Sequence, residues 1–212
     1  MRVRPLTRRE ILENCIVRGL LVASIPLSQT KLLAFWQQGE ARPPKLTPEN
    51  EMGPFFKKGA PEAAMMRTAG DAGFPLRVSG RILDSRGEPL EGARAEVWQA
   101  DHHGLYDLKG YRYRARLTPS AKGAYAFETV MPGHYPDRVC QHIHYTVTAP
   151  GHKTLVTQLY FATDSVFAGD PDKNYTKDPL IENRDLVRPV TLVEQAESAH
   201  ADVIFELILQ KA

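Results

Sequence analysis

A chain whose apolar residues alternate with polar ones in short runs has few ways to bury them. Leu76, Val78, Gly80 and Ile82 alternate with polar neighbours, and Ala93, Ala95 and Val97 alternate with Arg94, Glu96 and Trp98. Successive side chains of a strand point to opposite faces, so each run offers one face to a core. Similar runs cover Ala124 to Val130, Gln141 to Thr148, Thr154 to Ala162 and Ala201 to Gln210; in the last, Val203, Phe205, Leu207 and Leu209 share a face. Turn clusters at Asp84-Ser85-Arg86-Gly87-Glu88-Pro89 and Thr118-Pro119-Ser120-Ala121-Lys122-Gly123 separate them. Short strands punctuated in this way predict an all-β fold, an antiparallel β-sandwich with an irregular N-terminal extension.

The extension differs in character from the rest of the chain. Thr7-Arg8-Arg9-Glu10-Ile11-Leu12 is similar to a twin-arginine export motif, and Gly19-Leu20-Leu21-Val22-Ala23-Ser24 begins a short apolar stretch. A basic start, a short apolar region and a polar exit fit an export signal better than a spanning helix. A helix docked on the domain or on a partner subunit, with the protein then cytoplasmic, is the other reading. Ala41-Arg42-Pro43-Pro44-Lys45-Leu46-Thr47-Pro48 reads as an extended linker, because each proline holds its predecessor away from helix. The expected division is therefore an export signal and linker over 1–45 and one sandwich domain over 46–212, with the mature domain in the periplasm or outside the cell. Composition contains no membrane-length apolar run, and a net charge of +2 gives no ground for a nucleic-acid partner. Of the two cysteines, Cys15 lies in the signal, which leaves Cys140 without an intrachain partner after its removal.

The candidate site lies in His134-Tyr135-Pro136-Asp137-Arg138-Val139-Cys140-Gln141-His142-Ile143-His144-Tyr145. His142 and His144 are two apart on an expected strand, so both imidazoles face one way and form a pair of metal ligands. Tyr135 follows the turn signal Pro132-Gly133, and a second phenol stands at Tyr106. A free phenol has a pKa near ~10, but a strongly charged Lewis acid stabilises its anion. Phenolate is a hard donor, so two tyrosines and two histidines favour Fe(III) over zinc. Cys140 shares the parity of the two histidines, and a zinc site on Cys140, His142 and His144 stays open on the residues alone.

Several blocks resemble the intradiol ring-cleavage dioxygenases, typified by protocatechuate 3,4-dioxygenase. They are Gly80-Arg81-Ile82-Leu83-Asp84 with Gly87 and Pro89; Ala95-Glu96-Val97-Trp98-Gln99-Ala100-Asp101 with Gly104 and Tyr106; Pro132-Gly133-His134-Tyr135-Pro136 with His142-Ile143-His144; and Thr157-Gln158-Leu159-Tyr160-Phe161 with Asp164. Thr47-Pro48-Glu49-Asn50 and Gly53-Pro54-Phe55-Phe56 add a fainter match. The resemblance implies a ferric centre on Tyr106, Tyr135, His142 and His144. It implies a catechol-type substrate and O2, with ring opening between the two hydroxylated carbons to a muconate-type diacid. Tyr135 would leave the metal and take a substrate proton, Gln158 would sit near the reacting oxygens, and an arginine would stabilise substrate charge. Gly53-Pro54-Phe55-Phe56 would wall the mouth, in some members across a subunit boundary, which admits a homo-oligomer.

One departure concerns the arginine. The family places it three residues before the first ligand histidine, where this chain has Val139; Arg138 is one residue earlier, in a shorter loop. His102 and His103 are expected at the mouth or surface, facing opposite ways, and Trp98 in the core. Asp164 to Pro189 is a long polar loop to which the residues assign no role. The competing function class is an exported, non-enzymatic binding module on a transthyretin-like (prealbumin-like) sandwich, since the fold alone permits many functions.

Overall fold

The computed structural model describes residues 43–135, 138–195 and 198–212. The export signal expected within 1–45 falls almost wholly on residues outside that set. Among the described residues no helix is long and apolar enough to cross a membrane.

The strands in chain order are β1 (Pro75–Asp84), β2 (Arg94–Trp98), β3 (Arg114–Leu117), β4 (Ala124–Val130), β5 (His142–Thr148), β6 (Leu155–Phe161), β7 (Val187–Arg188), β8 (Val190–Gln195), β9 (Ser198–Ile204) and β10 (Leu207–Leu209). One sheet runs β3-β2-β5-β6-β7, and the second runs β10-β1-β9-β8 with β4 paired to β1. The all-β sandwich expected from the alternation is present. Most pairs are antiparallel, but β1 pairs with β9 and β10 in parallel, as β6 does with β7.

The core forms where the inward faces meet. Ala95, Val97, Ile143, Tyr145, Val147 and Leu159 from one sheet pack with Leu76, Val78, Phe127, Val203 and Leu207 from the other. The Tyr145 ring reaches Phe205 at 5.3 Å between centroids. The run Ala201 to Gln210 is broken into β9 and β10 for a local reason. The Phe205 carbonyl turns out of the ladder to accept from Tyr125 Oη, and Gly80 makes room for it, since a Cβ there would lie 1.9 Å from Phe205 O. β3, β7 and β8 were not expected. β3 is four residues long, and β8 leaves Thr191, Leu192 and Glu194 exposed.

Two additions pack against the strands. Residues 47–51 run extended between the sheets: Thr47 N–H donates to Ile208 O of β10 (3.1 Å), and Asn50 N–H donates to Val156 O of β6 (2.9 Å). The polar stretch after β6 is not a structureless loop. It holds single 3₁₀ turns at Ser165–Phe167, Tyr175–Lys177 and Arg184–Leu186 and a short helix α1 (Pro171–Asn174).

Candidate metal centre

β5 lies inside its sheet between β2 and β6, and its odd-numbered residues Ile143, Tyr145 and Val147 face the core. His142 and His144 therefore project from the opposite face. Residues directly opposite in an antiparallel ladder share a face. The register sets Trp98 and Gln158 across from His144, and Tyr160 across from His142. Trp98 is buried as expected, but beneath the site: its indole stacks on His144 at 5.0 Å with 2° between planes. Both histidines are almost fully buried.

The tyrosines arrive on two loops that interlock through backbone. After β2, Asp101 closes a turn, with its Oδ1 accepting from His103 N–H and Leu105 N–H. Its carbonyl accepts from Gly104 N–H (3.0 Å) and from Gly133 N–H (2.8 Å) of the second loop. Both glycines are required by space. A Cβ on Gly104, whose φ is +83°, would lie 2.0 Å from His134 O; one on Gly133 would lie 2.4 Å from His102 O. The nesting brings Tyr106 and Tyr135 together, ring centroids 5.7 Å apart. Tyr135 reaches Nε2 of His142 at 3.2 Å, and the two histidine Nε2 atoms are 3.1 Å apart. This turn also corrects the expectation for His102 and His103, whose rings lie together at 3.7 Å because the segment is not extended.

The donor atoms fit a cation. The Cys140 carbonyl can only accept, so His142 Nδ1 donates to it (2.8 Å) and the Nε2 lone pair faces inward. Burial, assisted by the charge of Arg138, pushes His142 down to about 3; burial and then His142 hold His144 well below the usual imidazole range. Both rings are thus neutral ligands at neutral pH. Tyr106 Oη is buried and, apart from the neighbouring Tyr135 phenol, meets no hydrogen-bond partner among the described residues. Burial, with the neighbouring Tyr135, raises the Tyr106 pKa in the absence of a cation. Two phenol oxygens and two imidazole nitrogens converging in this way suit a hard trivalent ion.

The zinc alternative is not formed. β5 begins at His142, so Cys140 lies before the strand and the shared parity lapses; its side chain is buried with the core. Among the described residues no group of three or more His, Cys, Asp and Glu side chains is placed to hold a metal.

The short loop presents Arg138 rather than Val139. Arg138 is buried, whereas Val139 is 42% exposed. Its Nη2 donates to Gln158 Oε1 and to Tyr160 Oη, both at 2.8 Å, and Tyr160 Oη donates to Gln158 Oε1 (3.0 Å). Gln158 Nε2 in turn donates to Glu51 O (2.6 Å), which ties the N-terminal segment to the site. Phe55 stacks on Tyr106 at 4.2 Å, and Gly53 lies against His144.

Arg114 and Asp178, not singled out by sequence, and Asp164, which stands in a matching block without a role, shape the surroundings. Arg114 is buried beside Tyr106 and donates from Nη1 to Phe55 O (2.6 Å). Asp164 Oδ2 accepts from Gln141 N–H (2.8 Å), and Asp178 Oδ2 accepts from Cys140 N–H (3.2 Å). The stretch after β6, to which no role was assigned, thus pins the approach to His142. The sequence signal for this was Asp164 in the matching block that holds Gln158, and its role is visible only once burial is known.

A family model described as "Dioxygenase" matches residues 52–211. A hydroxyquinol 1,2-dioxygenase of Nocardioides simplex is 32% identical over 187 residues, covering 76% of this chain and 63% of the relative. A catechol 1,2-dioxygenase of Acinetobacter baylyi is 28% identical over 195 residues, covering 78% and 62%. The chain thus spans under two thirds of the length of these curated relatives. Among solved structures, the dioxygenase domain of a dioxygenase carbohydrate-binding protein fusion from Streptomyces sp. SirexAA-E superposes with a TM-score of 0.67 at 32% identity, covering 79% of this chain and 100% of that domain. A match over most of the chain, on a β-sandwich that brings the two tyrosines and two histidines to one point, places this chain in the intradiol ring-cleavage dioxygenase family.

Proposed function

We propose that this chain is a non-haem ferric dioxygenase that opens a catechol-type ring between its two hydroxylated carbons. The observation that carries the reading is the convergence of Tyr106, Tyr135, His142 and His144 on one buried point. Fe(III) held by these four side chains would supply the Lewis acidity that favours oxygen donors in their anionic forms. Tyr135, whose hydroxyl reaches His142 Nε2 from a loop, is placed to take one of the two protons a catechol gives up on binding. Arg138 offers a fixed cation to the resulting negative charge, with Gln158 and Tyr160 holding its guanidinium. Phe55, stacked on Tyr106, shields that side of the site from water. O2 is the second substrate, and its two atoms end in the two carboxyl groups of the muconate-type diacid.

Iron-supplemented protein should carry about one iron per chain, show a broad visible phenolate-to-iron band, and convert catechol or hydroxyquinol to a product heavier by both oxygen atoms. Colourless protein containing only zinc, or a product carrying a single oxygen atom from 18O2, would overturn the proposal. The names of the relatives support a catechol-class substrate, and the aromatic residues beside the site, Phe55, Tyr106 and Tyr135, suit the same class.

A further inference from the structure

The peptide bond joining Cys140 and Gln141 is gripped at both ends. Its N–H donates to Asp164 Oδ2 (2.8 Å), and its C=O accepts from His142 Nδ1 (2.8 Å). Asp164 is itself held rigid. Its side chain is fully buried, Oδ1 accepts from Val166 N–H (2.9 Å), and both oxygens lie 3.1 Å from His134 Nε2. A carboxylate on the N–H of an amide polarises it, which strengthens the C=O as an acceptor. An imidazole whose Nδ1–H is held by a stronger acceptor has a more basic Nε2 and a fixed ring orientation.

We propose that Asp164 is a positioning residue that acts on His142 through this peptide, as a carboxylate–amide–imidazole relay. The inference rests on the metal site proposed above. In the common arrangement a carboxylate touches the histidine directly; here one peptide plane separates them, and the carboxylate comes from the stretch after β6. Asp178 is a built-in control. It accepts from Cys140 N–H, which belongs to the preceding peptide and lies off the relay.

The relay is tested in full-length protein loaded with Fe(III) or, for NMR, with diamagnetic Ga(III). Asp164→Asn keeps the shape and removes the charge. It should hold Fe(III) against a competing chelator about 10- to 100-fold less well. In the metal-free variant the His142 Nδ1–H resonance should move upfield and exchange faster with solvent. Asp178→Asn should change both readouts much less. Retention within twofold of wild type in folded Asp164→Asn, or an equal loss in Asp178→Asn, would overturn the relay. If Asp164→Asn does not fold, wild-type protein decides the matter. Through-hydrogen-bond couplings from Gln141 N to the Asp164 carboxyl carbon and from His142 Nδ1 to the Cys140 carbonyl carbon should both be present, and absence of either overturns the relay. Wild-type protein that holds no trivalent metal would instead sink the proposed function, and the relay with it.

Discussion

Replacing Gly104 by alanine tests whether the two tyrosine loops are held together by backbone contact. Two penalties apply. At φ +83° a residue with a Cβ sits in the left-handed region, at a cost of roughly 1–2 kcal/mol. The new Cβ would also lie 2.0 Å from His134 O, against a comfortable separation of roughly 3.3 Å, so the loops must part by more than 1 Å. Forcing such an overlap costs about 1–3 kcal/mol more. The total is about 2–5 kcal/mol. Gly151 provides the reference, since its φ is +70° and nothing lies within 4 Å of its would-be Cβ, leaving only the first penalty of roughly 1–2 kcal/mol. Urea unfolding of metal-free Gly104→Ala and Gly151→Ala at one temperature gives the two losses directly. Because the loops carry Tyr106 and Tyr135, Gly104→Ala should also release iron faster, and Gly151→Ala should not. Equal destabilisation by the two variants, with unchanged iron retention in Gly104→Ala, would refute the claim that this contact sets the tyrosine geometry.

Two further outcomes are expected of the site. Tyr106 has a buried hydroxyl behind Phe55, whereas Tyr135 reaches His142 from its own loop; Tyr106→Phe should therefore lose iron, while Tyr135→Phe keeps it and binds catechol roughly 100-fold more slowly for want of a base. Anaerobic stopped-flow spectra check this, and slow binding in Tyr106→Phe with normal binding in Tyr135→Phe would exchange the roles. Without metal, His142 stays neutral in the fold down to about 3, while an unfolded imidazole takes a proton near 6.5. The unfolded chain then binds more protons below 6.5, so stability falls as pH drops from about 6.5 toward 3, by about 1.4 kcal/mol for each unit per histidine, His144 acting in the same direction. Asp71, Asp84 and Asp107 have lowered pKa values and lose their contribution only near and below the carboxylate range, so comparing urea midpoints in chelator at pH 7.5 and 5.5 isolates the histidines. Identical midpoints would show that the imidazoles are not buried as described.

How much was legible in the residues depended on what each feature rests on. β5 and its paired histidines were readable because strand parity is a local property. The position of Trp98 under His144 was not, because it depends on the register between β2 and β5. Arg138 could not be told from Val139 by spacing from His142, since the choice is made by the hydrogen bonds to Gln158 and Tyr160 from another strand. β3 was hidden by its length, and the break between β9 and β10 by a carbonyl–tyrosine contact across 80 residues. Asp178 looked like ordinary loop polarity, and Asp164 had a place in a matching block but no role, until their burial against backbone N–H groups was known.

The extended segment 47–51 has a consequence for the order in which the molecule assembles. Its contacts with Val156, Thr157, Gln158 and Ile208 close loops of more than 100 residues, such as the 107 between Glu51 and Gln158. Loop-closure entropy grows with separation, so contacts this non-local are expected to form after the hairpins of the sandwich. Gly53, two residues beyond the segment, lies against His144. The pocket would then stand open while the sheets are already paired, giving an incoming ion a period of access that ends when the segment settles.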